Sequence, residues 1–353
     1  MASPRQIQLA LFEKENFKLL NETHGLLYND ISNENVKRIE CTPGGACVAV
    51  PFYSITDVNH SKPNKMVRIW NQTTPLQPSL EYRCEVVDSY LRGKSLPYFV
   101  NSHFYKEVLA VKGEILSGTI MDFVQGLDLI DYLAKCVQLP AYRRLLDDLA
   151  QKFRKMCQDL RNANISHGDL SGTNIRVLDN GDIRLIDYDS ICIPQLVGKV
   201  YSTDGTDAYN HRQRKGVTMQ LNTDYFPEMV IYATIIILRE NPQLWSKYVQ
   251  ESGMNDGGML FTSTMLKDVS AFKNSNLYSD IIYLAKRNNE ISQTLDILLQ
   301  SIKGAINDVP FLFDKLSVVK IVNMASYCGS CGHHFDNQTD IYCPMCGAKR
   351  ETI

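Results

Sequence analysis

Apolar and polar positions follow two rhythms along this chain. Between Arg38 and Trp70 the apolar runs are short, β-branched and aromatic, as in Cys47-Val48-Ala49-Val50-Pro51-Phe52-Tyr53 and Met66-Val67-Arg68-Ile69-Trp70. Pro43-Gly44-Gly45 precedes the first run and Asn59 to Asn64 separates the two, so the segment predicts antiparallel strands. Beyond Pro78-Ser79 the period becomes helical. Leu80, Cys84, Val87 and Leu91 recur on one face, with Glu81, Glu85 and Asp88 on the neighbouring one. Two further strands are expected near residues 98–105 and 116–124. Tyr142 to Arg161 is the clearest amphipathic helix, with Leu145, Leu146, Leu149, Phe153, Met156, Cys157 and Leu160 at helical spacing. A hairpin is predicted over 174–187. The polar stretch from Pro194 to Thr223 carries no core pattern, and a stretch of that length is usually functional or mobile. From Asp224 to about Val319 the pattern is mostly helical, while residues 1–36 have no clean period and read as an N-terminal extension.

Composition narrows the class. Of 353 residues 44% are hydrophobic and 22% charged, which excludes wholesale disorder. Lys plus Arg is 37 and Asp plus Glu 39, a net charge of −2 that argues against a nucleic-acid partner. The longest apolar stretch, Met229 to Leu238, is about half the ~20 residues a bilayer span needs. The N-terminus shows no signal-peptide core, so the expected setting is the cytoplasm, away from membranes. Of ten cysteines, Cys41, Cys47, Cys84, Cys136, Cys157 and Cys192 are scattered and read as small buried hydrophobes.

The richest chemistry runs from Ile165 to Asp189. Asn180-Gly181 is a strong signal for a two-residue type I′ hairpin loop. In that register opposed residue numbers sum to 361, so Leu178 faces Ile183, Arg176 faces Leu185 and Asn174 faces Asp187. Asp169 arrives from the loop just before. Two carboxylates and a carboxamide at one element end are hard oxygen donors suited to Mg²⁺ and a substrate phosphate.

These residues resemble the protein-kinase catalytic core. His167-Gly168-Asp169-Leu170…Asn174 looks like the kinase His-Arg-Asp-Leu-x-x-x-Asn loop, and Asp187-Tyr188-Asp189 looks like Asp-Phe-Gly. The resemblance covers roughly residues 38–310. It implies an α+β, bilobal protein-kinase-like fold: a small β-rich N-lobe over 37–124 and a helical C-lobe over 125–319. It implies ATP and Mg²⁺ as cofactors, Asp169 as catalytic base, Asn174 and Asp187 as Mg²⁺ ligands, and His167 as a support for the loop. Thr119-Ile120-Met121-Asp122-Phe123-Val124-Gln125-Gly126 resembles the hinge between lobes. By that resemblance Met121 is the gatekeeper, the backbone of Asp122 to Val124 meets adenine and Asp128 contacts ribose. Asp224 resembles the buried aspartate that braces the catalytic loop.

The departures are specific. Arg68 stands where kinases carry the β3 lysine, and its planar fork is not interchangeable with an ammonium. Lys65, three residues away on a strand, points to the opposite face. The acidic partner on the following helix is expected to be Glu85, ahead of Glu81. The Gly-rich loop shrinks to Gly44 and Gly45 within Pro43-Gly44-Gly45-Ala46-Cys47-Val48. Asp189 replaces the last glycine of Asp-Phe-Gly. Gly205-Thr206-Asp207-Ala208-Tyr209-Asn210-His211 stands in place of Ala-Pro-Glu and resembles bacterial kinase-like proteins, including those of tellurite-resistance-type phosphorylation triads. Gly168 cannot pair with a loop phosphate, so activity is not expected to depend on phosphorylation of Ser202, Thr203 or Thr206.

Near the C-terminus, Cys328-Gly329-Ser330-Cys331 and Cys343-Pro344-Met345-Cys346 are two knuckles, each followed by glycine. Four thiolates at this spacing close a tetrahedron around Zn²⁺. The module resembles a zinc ribbon, expected over 325–353, in which the metal supplies folding energy that so short a segment lacks. Three functions follow: a Ser/Thr protein kinase acting on a protein substrate or partner, a pseudokinase scaffold that binds without transfer, and a small-molecule kinase of the aminoglycoside or choline type. The last also uses His-Gly-Asp-Leu and Ile-Asp-Tyr-Asp. The residues that favour transfer over scaffolding are Asp169, Asn174 and Asp187, all present.

Overall fold

The computed structural model describes residues 2–19, 26–27, 29–30, 38–39, 42–43, 47–53, 63–71, 79–250, 258–316, 327–335, 342–348 and 350. The chain divides into two units, Met1–Lys315 and Leu316–Ile353, and has mixed α+β character.

The larger unit opens with helix α1 (Pro4–Ala10). Ser3 Oγ accepts from the Gln6 N–H and the Gln6 side chain accepts from the Ser3 N–H, a capping box that starts the helix. Ile7, Leu11 and Phe17 are buried with Val48, Val50, Val67, Ile69 and Leu109, so the N-terminal segment packs into the sheet's own core. Short strands β1 (Leu26–Leu27), β2 (Asn29–Asp30), β3 (Arg38–Ile39) and β4 (Thr42–Pro43) precede the two apolar runs, which become β5 (Cys47–Tyr53) and β6 (Lys65–Trp70). Helix α2 (Leu80–Lys94) follows, started by Ser79, whose Oγ accepts from the Tyr82 N–H. It lies against β7 (Ser102–Val111), which forms a hairpin with β8 (Glu114–Asp122). Among the described residues, six strands form one antiparallel sheet with the path β1-β5-β6-β8-β7 and β4 pairing with β5.

β7 begins later and runs longer than the expected 98–105, and β8 keeps the expected length but starts two residues earlier than 116. Lys112 (φ 49°) and Gly113 (φ 83°) both take left-handed backbone and join them tightly, a turn that the sequence does not advertise with an Asn-Gly pair. The register shifts between Tyr105 and Leu109, and such a bulge breaks the two-residue alternation from which strands are read.

After β9 (Leu127–Asp128), helices α3 (Leu129–Cys136) and α4 (Tyr142–Asn162) lead into strands β10 (Ile175–Val177) and β11 (Ile183–Leu185). The predicted hairpin is present with a different loop and register. Pairing runs Ile175–Leu185, Arg176–Arg184 and Val177–Ile183, so opposed numbers sum to 360 rather than 361. The Leu178 N–H donates to Asp182 O at 2.9 Å and the Gly181 N–H to Leu178 O at 2.8 Å, leaving three loop residues. Gly181 takes φ +79° while Asn180 does not enter the left-handed region, which replaces the type I′ turn with a type I turn and a glycine bulge. Asn174 therefore faces Ile186, not Asp187.

Helix α5 (Tyr225–Glu240) is apolar on nearly every side and is buried almost throughout, packed by α4. The remaining helices are α6 (Gln243–Trp245), α7 (Ser263–Lys267), α8 (Val269–Lys273), α9 (Asn276–Ala285), α10 (Asn289–Lys303) and α11 (Leu312–Lys315). The polar stretch 194–223 forms short 3-10 turns and one antiparallel bridge between Val200 and Thr218, and Leu196, Ala208, Tyr209 and Met219 in it are buried. Of the scattered cysteines, Cys47, Cys136, Cys157 and Cys192 are buried and Cys84 is half-buried; Cys41 lies outside the described residues.

Candidate functional site

The loop 166–174 is fixed from three sides. Ser166 and Cys192 exchange backbone hydrogen bonds of 3.0 and 2.8 Å. Asp224, at the start of α5, accepts the Gly168 N–H at 2.9 Å on one oxygen and the His167 N–H on the other. Burial raises the Asp224 carboxyl, with His167 and the two N–H groups pulling it down. His167 Nε2 meets Ile186 O at 2.8 Å, which ties the loop to the end of β11. Gly168 has φ +78°, and a Cβ there would lie 2.1 Å from Ser190 O, so no side chain fits. The buried Arg214 donates to Gly168 O at 3.0 Å and stacks 3.8 Å from the Tyr201 ring. Neither Arg214 nor Tyr201 was marked by a sequence motif.

Asp169 and Asn174 sit on this loop. Asn174 Nδ2 donates to Asp169 O at 2.8 Å, which turns the carboxamide oxygen away from that carbonyl. The Thr206 N–H donates to Asp169 Oδ1 at 2.7 Å. Asp187 leaves β11 in left-handed backbone, φ 70° and ψ 74°, which aspartate tolerates better than most residues. That twist carries its carboxylate to Arg68, 2.9 Å from Nη2. Asp189 meets the same guanidinium with both oxygens, Oδ2 at 2.8 Å from Nη2 and Oδ1 against Nη1.

Two carboxylates thus share one buried cation. Burial alone would lower Arg68, but Asp189 and Asp187 raise it well above its ordinary value. Burial pushes Asp189 up to about 7 against the pull of Arg68, and Asp187 and Asp169 add to the rise, so both lie within electrostatic reach of Asp189. The expected Arg68–Glu85 pair is not formed. Glu85 is on the exposed side of α2, while Arg83, Val87 and Leu91 take the buried positions. Glu81 pairs with Lys106 at 2.7 Å. The sequence marks Asp189 as a departure from the motif but not as the partner of Arg68, because a glycine position in a motif gives no hint of a charge partner.

On β8, Met121 is buried opposite Met66, and Asp122 pairs with Lys65 across the strands. The Asp122 N–H donates to Asn101 O at 3.1 Å and the Phe123 N–H to Asn64 O at 2.9 Å; Val124 is half-buried in the segment that follows. Asp128 caps α3, its Oδ1 accepting the Asp131 N–H at 2.8 Å. Gly44 and Gly45 lie outside the described residues. Behind Arg68 a cavity of about 320 Å³ opens between α2 and the sheet, lined by Trp70, Val87, Leu91, Phe99, Met121 and Asp189 among others.

In the smaller unit the four cysteine sulfurs lie within 4.8 Å of one another. Cys328–Cys346 and Cys331–Cys343 are each 3.6 Å apart, close to the ~3.8 Å edge of a tetrahedron with 2.3 Å Zn–S bonds. The two knuckles repeat one geometry: Gly332 N–H to Cys328 O and Gly347 N–H to Cys343 O, both 2.8 Å, with both glycines at φ 72°. Backbone N–H groups of Cys331 and Ser330 aimed at the Cys328 sulfur bring its thiol down to about 7. These four cysteines could hold a metal ion such as zinc.

No protein-family model matches the chain, and no curated protein matches it in sequence. Among the described residues no helix is long and apolar enough to cross a membrane.

Proposed function

We propose that the larger unit is a bilobal, protein-kinase-like phosphotransferase that uses Mg·ATP in the cytoplasm, and that the smaller unit is a structural zinc ribbon. The observation that carries the reading is the meeting of Arg68, from the central strand β6, with Asp187, from the end of the β10–β11 hairpin. Arg68 is a cation of the kind that binds phosphate and Asp187 a hard oxygen donor, while Asp169 and Asn174 sit together on the loop that His167 ties to the end of β11. The β-rich first part of the unit, one helix between β6 and β7, and the helical remainder support the same reading.

In this account Asp169 receives the acceptor hydroxyl's proton, and Arg68 holds the nucleotide phosphates. Asn174 and Asp187 would hold Mg²⁺, whose bound charge offsets that of the phosphates. Asp187 is 40% exposed and keeps an open side, which suits a ligand shared with nucleotide. The backbone of Asp122 to Val124 would meet adenine. A Ser/Thr hydroxyl on a protein is the favoured acceptor, since Asp224 braces the loop in the manner of protein kinases.

A second reading, nucleotide binding without transfer, is favoured by one observation: Arg68 is already engaged by two carboxylates. Two measurements separate them. Mg·ATP is expected to raise the melting temperature of the full chain and to be turned over, with transfer lost in Asp169→Ala. Stabilisation with no turnover supports the scaffold, and no nucleotide response at all defeats both.

A further inference from the structure

Arg68 is only 8% exposed, so its charge needs a buried partner. Helix α2 offers none. Its acids are turned elsewhere: Glu81 to Lys106 at 2.7 Å, Asp88 to Arg92 at 2.8 Å, and Glu85 to solvent. The charged residue that α2 buries is a second cation, Arg83, which lines the same cavity as Arg68. Arg83 donates to Val200 O at 2.8 Å, and Asp88, the acid of α2 that also lines the cavity, is held by Arg92, so no side chain of α2 is seen to hold Arg68.

Asp189 has the geometry that α2 lacks. Both of its oxygens engage both Nη atoms, fork to fork, and its side chain is 9% exposed against 10% for Arg68. Its own position is over-determined. Tyr188 beside it accepts the Val100 N–H at 2.9 Å and donates to Leu185 O at 3.0 Å. Ser202 Oγ donates to Asp189 O at 3.2 Å. On the other side, Ser190 is packed on Gly168. Asp187, by contrast, touches one nitrogen and stays partly open.

We propose that Asp189 is the positioning residue of Arg68, aligning the phosphate-binding guanidinium from the loop after β11, and that α2 takes no part in that alignment. The inference rests on the phosphotransferase reading and deepens it. The site is assembled by its own loop, so displacement of α2 is not its switch.

The test uses the full chain with Mg·ATP. Asp189→Asn leaves the Arg68 charge but frees its orientation. Nucleotide affinity is expected to stay within about threefold of wild type while kcat falls by ~100-fold, the size expected for a misplaced catalytic group. Asp189→Glu, which keeps the fork, recovers part of that loss. Glu85→Gln leaves both quantities unchanged. In an Arg68→Lys background, where no fork can form, Asp189→Asn causes little further loss. Equal losses of affinity and kcat, or a kcat loss in Glu85→Gln, overturn the proposal.

A second readout does not require turnover. In urea unfolding, Arg68→Met with Asp189→Asn should lower the midpoint by less than the two single changes together, whereas Arg68→Met with Glu85→Gln should be additive. If wild type neither binds nor turns over Mg·ATP, the functional reading fails. The unfolding cycle then still decides whether Asp189 holds Arg68, and additivity of that pair overturns it.

Discussion

Gly168→Ala should destabilise the larger unit by far more than a methyl group ordinarily does. Gly168 holds φ +78°, a conformation that costs a residue with a side chain about 1–2 kcal/mol. The added Cβ would lie 2.1 Å from Ser190 O, 2.8 Å from Tyr201 Cε1 and 2.9 Å from Ser190 C. Two of those atoms are backbone, in a segment locked by the Ser166–Cys192 bridge, so relief means moving the loop rather than a side-chain tip. Overpacking of that kind costs about 1–3 kcal/mol. The sum is about 2–5 kcal/mol, or a fall of roughly 4–10 °C in melting temperature at ~2 °C per kcal/mol for a chain of this size.

Two other glycines separate the contributions. Gly198 has φ +80° and open space, so alanine there carries the backbone cost alone. Gly93 lies in α2 with open space and no left-handed φ, so alanine should stabilise by about 0.5–1 kcal/mol. Thermal melts of the three variants should rank Gly93 above wild type, Gly198 slightly below and Gly168 well below. A Gly168→Ala melt within 1 °C of wild type, or one equal to Gly198→Ala, would refute the reasoning. Gly168→Arg, which restores the residue many kinases carry, should be at least as damaging.

Other consequences can be measured directly. Burial raises the Glu228 carboxyl well above its ordinary range, with Asp224 adding to the rise, so folding favours its protonated form. Its contribution to stability is present in full below about pH 4 and is lost as pH rises toward its folded pKa. Glu228→Gln should therefore match wild type in urea midpoint near pH 4 and exceed it at pH 8; a constant difference across that range contradicts the assignment. Purified full chain should carry one zinc per chain by elemental analysis, and Cys343→Ser should lose it, with metal retention counting against the four-cysteine site. Alanine at Ser202, Thr203 and Thr206 together should leave turnover standing, because Gly168 carries no side chain that could pair with a loop phosphate; abolished turnover would contradict this.

What the sequence made legible is local. The runs 47–53 and 66–70 become β5 and β6, and 142–161 becomes α4, because their periods are those of the elements that bury them. The cysteine knuckles were readable because their spacing and following glycines are themselves the geometry. The loop at Asn180-Gly181 was misread by one residue, since the same dipeptide serves both two- and three-residue loops and only the pairing of the flanking strands selects between them. The β7–β8 hairpin was half seen, because a bulge interrupts its alternation. The counter-charge of Arg68 was placed on Glu85, whereas Asp189, 121 residues away in sequence, supplies it. Which acid meets a buried cation is settled by packing, and no local pattern encodes it. The burial of Ile7 and Leu11 in the sheet's core was likewise hidden, because α1 is too short for its period to stand out.

The central claim is that Asp169, Asn174, Asp187 and Arg68 form a site for Mg·ATP-dependent phosphoryl transfer. The most direct measurement is release or transfer of the γ-phosphate from labelled Mg·ATP by the full chain, beside Asp169→Ala and Asp187→Ala. The account predicts Mg²⁺-dependent turnover in wild type that falls by at least ~100-fold in each variant. Absence of turnover, or turnover that both variants retain, would contradict it.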